Sequence, residues 1–168
     1  MLTGERIKPY LLHEDRWLRV AAVHYFYESW SRDADLVPMV LAGCERFGLV
    51  ESVPLLSCCR RFPLTESAFQ AALALLAETE DANTIMHLGG MIASAPVELL
   101  ANNEMRVFDN KHLLAEYRPK IQHRLGVSRW SDDRLWHELQ DFSLRSADAK
   151  FAGEIDHAYA DALVEALA

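Results

Sequence analysis

Apolar residues recur along the chain at spacings of three and four, and no stretch alternates apolar with polar between hairpin turns, so the pattern predicts helices throughout. From Asp15 to Trp30 the run DRWLRVAAVHYFYESW puts Trp17, Ala21 and His24 on one face and Leu18, Ala22 and Tyr25 on the next, which predicts a helix packed on more than one side. From Asp35 to Phe47 the stripe is Val37, Val40, Leu41, Cys44 and Phe47, and Gly48 is placed to end that helix in a left-handed conformation. A shorter apolar piece spans Glu51 to Arg61. Pro63 and Thr65 then introduce SAFQAALALLAE, with Thr65 as N-cap and Phe69, Ala72, Leu73 and Leu76 on one face.

A further helix is expected from Ala82 to about Ser94, with Ile85, Leu88 and Ile92 along it and Pro96 beyond its end. Gly89 and Gly90 weaken such a helix by roughly 1 kcal/mol each relative to Ala, unless they let a neighbouring backbone approach. After a short helical turn at Val97 to Ala101, Asp109 is placed to cap NKHLLAEYRPKIQHRLG, with Leu114, Tyr117, Ile121 and Leu125 on one side and a kink or break near Arg118, ahead of Pro119. Ser131, Asp132 and Asp133 make a strong helix start, followed by the stripe Leu135, Leu139 and Phe142. The last helix is expected from Glu154 to the end, with Ile155, Ala158, Tyr159, Ala162, Leu163, Ala166 and Leu167 on one side and no C-cap. Its apolar end predicts a continuing parent chain, a partner, or a second copy of this chain. About eight helices joined by short connections give an all-α fold of antiparallel helix pairs.

At 168 residues and 51% apolar, the chain is long enough for one helical domain, residues 1–168, with a sizeable core. Its 17 Lys and Arg against 25 Asp and Glu give a net charge of −8, which argues against a main task of gripping nucleic acid. There is no apolar run long enough for a membrane span and no secretion-signal layout, so a cytoplasmic chain is expected. Three cysteines, Cys44, Cys58 and Cys59, two of them adjacent, make a poor disulfide framework and are expected as reduced thiols.

The stretch HEDRWLRVAA, with Asp15, Leu18, Arg19 and Ala22 in register, resembles the helix start of a HEAT-type repeat. That resemblance implies a HEAT/armadillo-like α-solenoid, a short α-α superhelix in which the Asp caps the helix and pairs with the Arg of an adjacent repeat, while the small Ala lets helices close up. The stretches LLHEDRWLRVAAVHYF, SRDADLVPMVLAGCERFG and PLTESAFQAALALLAETED, with the later Leu135-Trp136-His137-Glu138-Leu139, also resemble the helical region of bacterial SEC-C-associated proteins. The zinc-binding tail of those proteins is not in this sequence, which has no Cys-x-Cys or Cys-His cluster after Cys59. The resemblance implies a fold and brings no catalytic residues with it.

Zinc prefers close pairs of ligands, and the three cysteines contain no Cys-x-x-Cys. A di-iron bundle wants two Glu-x-x-His pairs, whereas the chain has Glu154 with His157 and the weaker Asp109 with His112. No phosphate-binding glycine loop and no nucleophile elbow is present. No metal or cofactor is therefore expected. Trp17, Tyr25, Phe26, Tyr27 and Trp30 form a dense aromatic group that mostly reads as core. Tyr27 and Trp30 lie off the Leu18, Ala22 and Tyr25 stripe and are the candidates for docking a partner. From Arg106 to Arg134 seven basic residues stand against four acidic ones, which reads first as a solvated basic face and otherwise as a cradle for an acidic peptide or a nucleic-acid phosphate, with Arg118, Lys120 and Arg124 as the candidate cations. The expected function is a protein- or peptide-interaction scaffold. The alternative is an enzyme with a dispersed site, resting on His24 with Glu28 and His112 with Glu116, each pair spaced to share a helical face.

Overall fold

The structure is a computed structural model, which describes residues 3–147 and 157–167. Among the described residues every regular element is helical, so the chain is all-α, as the periodicity predicts. It divides into two compact units, Met1–Leu114 and Ala115–Ala168.

The first unit opens with α1 (Gly4–Ile7), which runs into a 3-10 segment (Lys8–Leu12) that the apolar pattern does not announce. α2 (Arg16–Glu28) begins where the Asp15 carboxylate accepts the amide of Trp17 at 2.7 Å, the capping role expected of it. Its buried residues are Arg19, Ala22, Val23 and Phe26, whereas Trp17 is 76% exposed and Ala21 and His24 also face out. The stripe that packs is therefore rotated from both stripes read in the sequence. Hydrophobicity gives weight to Trp17 and none to Arg19, yet Arg19 is the residue the fold takes inside. Its Nη1 donates to the carbonyls of His13 and Glu14, both at 2.9 Å, and its guanidinium lies 4.0 Å from the centre of the Phe47 ring.

α3 (Leu36–Phe47) and α4 (Leu49–Cys59) pack on each other across Gly48, the single residue between them. Gly48 has φ 89°, a conformation that a side chain resists, and its amide donates to the Cys44 carbonyl at 3.0 Å. α5 (Glu66–Glu78) starts on the predicted Thr65 cap and buries the four predicted residues Phe69, Ala72, Leu73 and Leu76. α6 (Ala82–Ala93) is capped by Asp81, which accepts the Thr84 amide at 2.8 Å and its hydroxyl at 2.7 Å, and it packs on α4 and α5.

Beyond α7 (Val97–Asn102) and α8 (Glu104–Phe108), the structure departs from the expected long helix. Asp109 ends α8 and caps nothing at its side chain, and residues 110–116 are not helical. Asparagine chemistry explains the break. The Asn110 amide donates to the Leu73 carbonyl on α5 at 3.3 Å, and its oxygen takes the His112 amide at 3.0 Å, a local bond that competes with helix. Asn103 ties the preceding corner to α5 in the same way, accepting from Gln70 at 2.7 Å.

The second unit consists of α9 (Tyr117–Val127), α10 (Asp132–Ala147) and α11 (His157–Leu167). Pro119 is the third residue of α9, where its missing N–H has no intrahelical partner to lose, so of the kink or break expected near Arg118 the structure has a break, with a new helix starting at Tyr117. Val127, Leu135, Ala162 and Leu163 form the core, flanked by Trp130, Leu139, Phe142 and Tyr159. α9 and α10 thus cover Ala162 and Leu163, the middle of the apolar face for which the sequence left a partner or second copy open. Glu154, Ile155 and the side chain of His157 lie outside the described residues.

One ion cluster fastens the start of the chain. Lys8 Nζ lies 2.6 Å from Asp33, 3.1 Å from Asp35 and 3.3 Å from Glu5. These bonds, that to Asp33 first, raise the Lys8 pKa, and Lys8 in turn holds Asp33 below the ordinary carboxylate value of 3.8. A depressed acid stabilises the fold above its unfolded value and loses that contribution as pH falls through its folded one. A raised amine contributes below its unfolded value of 10.5 and loses it above. The cluster therefore acts in full between those limits. Lys8→Met is expected to lower the urea midpoint at neutral pH, with the gap from wild type closing as pH drops below 3.8; a gap independent of pH would refute the assignment. In α9, a Cβ added at Gly126 meets nothing within 4 Å. Gly126→Ala is expected to raise stability by about 0.5–1 kcal/mol, and a lowered unfolding midpoint would contradict this.

Candidate functional site

The end of α2 carries a conformational anomaly. Ser31 donates its amide to the Phe26 carbonyl at 3.1 Å and Trp30 donates to Tyr27 at 3.4 Å, the crossed pair of bonds that closes many helices. The left-handed position in that closure normally holds glycine. Here Trp30 occupies it at φ 53°, the one positive-φ residue other than glycine among the described residues. For an L-residue this costs roughly 1 kcal/mol or more. Burial does not offset it, since Trp30 is 70% exposed.

What the indole does instead is form one wall of a notch. The Arg61 guanidinium lies 4.2 Å from the Tyr27 ring centre and 4.7 Å from that of Trp30, a contact with both candidate aromatics. Tyr27, Trp30, Ser31, Arg32, Arg61 and the buried Phe62 line a cavity of about 250 Å³. The loop after Trp30 is held by its own side chains. Ser31 Oγ accepts the Asp33 amide at 3.3 Å, Asp33 accepts that of Asp35 at 3.0 Å, and Lys8 pins both acids. Arg32, Arg60 and Arg61 are exposed and carry no carboxylate partner among the described residues. The notch is thus a cationic, aromatic spot on an acidic protein.

Tyr27 and Trp30, the two aromatic candidates, both line this notch. It adds Arg32 and Arg61, which the sequence reading passed over; the one available signal was the Arg60-Arg61 pair at the end of the apolar run. Arg118, Lys120 and Arg124 belong to the second unit. Lys120 is exposed, but Arg124 grips Glu165 through two nitrogens at 2.7 and 3.1 Å, so its charge is satisfied within that unit.

The groups named for an enzyme do not assemble in this way. His24 is exposed and stands edge-on to Tyr27, ring centres 6.3 Å apart, which makes it a flank of the notch, and Glu28 is exposed beside it. The shared-face argument for His112 and Glu116 lapses because no helix spans them. Among the described residues no group of three or more His, Cys, Asp or Glu is placed to hold a metal, and no helix is long and apolar enough to cross a membrane. The three thiols are free and buried. Burial pushes Cys44 up to about 11 and raises Cys58 and Cys59 as well, which keeps all three protonated at neutral pH and poor as nucleophiles. Burial also lowers the His87 pKa, with the Arg60 charge adding to the effect. Comparison of the chain with protein-family models, with curated proteins and with solved structures returns no match.

Proposed function

We propose that the protein is an interaction module that captures a short acidic segment of a partner protein in the Tyr27, Trp30 and Arg61 notch. The observation that carries this reading is Trp30: an exposed indole is held in a strained backbone conformation that glycine would occupy freely, and strain of that kind concentrates at binding sites. Arg32 and Arg61 supply donors for carboxylates, and the indole and Tyr27 supply apolar contact for a neighbouring side chain. The overall charge of −8 does not oppose this, because salt confines electrostatic reach to about 8 Å.

A HEAT-like helical-repeat scaffold in the cytoplasm is the wider frame of the proposal. Its supports are the Asp15 cap, the buried Ala22, the packed pairs α3 with α4 and α5 with α6, and three free thiols. Arg19 departs from the repeat pattern, since it bonds backbone carbonyls where the family pairs Arg with Asp.

Selection from a displayed random-peptide library tests the function. Wild-type protein is expected to enrich acidic sequences, and Arg61→Ala and Trp30→Gly to lose them. The second variant carries a sharper expectation. Because glycine relaxes the backbone, Trp30→Gly should leave stability unchanged or raise it by up to about 1 kcal/mol while removing binding. No enrichment by wild type, or enrichment that survives both substitutions, would overturn the reading.

A further inference from the structure

A second concavity lies on another side of α2. Arg6, Ile7 and Tyr10 from the N-terminal segment and Leu18, Ala21, Ala22 and Tyr25 from α2 line a groove of about 690 Å³. That volume falls within the range of roughly 300–1,000 Å³ typical of small-molecule sites. Its walls are mainly apolar. Leu18 and Tyr10 remain 40% and 45% exposed, and the small Ala21 and Ala22 leave room for an occupant between them and the N-terminal segment.

Among the described residues, Arg6 is the only charged one in this lining, and its guanidinium has no carboxylate partner there. The reason is local: the neighbouring acid Glu5 is drawn to Lys8, together with Asp33 and Asp35, and Lys8 also fixes the segment that carries Arg6. An apolar trough with one free cation at its edge complements a molecule with a single negative charge and an apolar body.

We propose that this groove binds a small amphipathic carboxylate, with its head on Arg6 and its tail along Leu18, Ala21 and Ala22. A neutral chain of the same length leaves Arg6 unanswered, and a cationic one is repelled by it. The proposal is independent of the Trp30 notch, which uses other residues.

Calorimetric titration with decanoate tests it, with decanol and decyltrimethylammonium as controls. The wild-type protein is expected to bind one equivalent of decanoate saturably and neither control comparably. Arg6→Gln, a change on an exposed single-turn helix, should weaken decanoate by about tenfold, the scale of one charge-assisted bond. Ala21→Phe, at an exposed helical position, should abolish binding with the far-ultraviolet circular dichroism unchanged, whereas Trp30→Gly should bind decanoate as wild type does. Absence of saturable binding, equal binding of the cationic amphiphile, or indifference to Arg6→Gln would overturn the proposal. So would a concentration-dependent dimer that Ala21→Phe dissociates, since the groove would then belong to a second copy.

Discussion

A guanidinium taken out of water at Arg19 fixes the rotation of α2, and the surface features of the first unit follow from that rotation. A buried charge is tolerated only where hydrogen bonds replace its hydration. Arg19 finds them at the His13 and Glu14 carbonyls, at the turn where α2 begins, and its guanidinium lies over the Phe47 ring at the end of α3. Its Nε has no hydrogen-bond partner, so the site is incompletely satisfied and small rotations of the helix would worsen it. With Arg19 inward, Ala22, Val23 and Phe26 must also be inward, because they follow at helical spacing.

The outward directions are then set as well. At about 100° per residue, Leu18, Ala22 and Tyr25 lie to one side of the Arg19, Val23 and Phe26 stripe and Tyr27 lies to the other. Trp17 and His24 point away from the core, in keeping with their exposure. The groove and the notch therefore occupy opposite flanks of a single helix whose third side is buried. The helix's two ends are also locked by different chemistry: a carboxylate cap at Asp15 and a strained aromatic closure at Trp30.

Much of the fold was legible in the sequence where a residue's local chemistry and its packing agree. Asp15 and Thr65 cap the helices they precede, Gly48 takes the positive φ reserved for it, and α5 buries the four residues its spacing marks. The reading failed where a polar side chain overrode an apolar pattern. Arg19 displaced Trp17 from the buried face, and Asn110 broke a helix that Leu114 and Tyr117 seemed to continue, because neither group carries any weight on a hydrophobic scale. The notch was half legible for the same reason. Tyr27 and Trp30 stood off the expected stripe, but Arg61 reaches them from α4's end, a juxtaposition between elements with no sequence spacing of its own. The groove was not legible, since one wall is an N-terminal segment too short to show periodicity.

The two flanks of α2 are lined by different residues. Leu18 lies nine residues, about 13 Å along the helix, from Tyr27, whereas Tyr25 of the same groove lining is only two residues from Tyr27 but on the other side of the buried stripe. The link between the flanks is Lys8, which holds both the segment bearing Arg6 and the loop that follows Trp30. Loss of that amine would loosen the groove and the notch at once, whereas changes at Arg6 or Trp30 act on one alone. A single ion cluster thus bears on two surfaces lined by different residues, and acidification that protonates Asp33 would slacken both together.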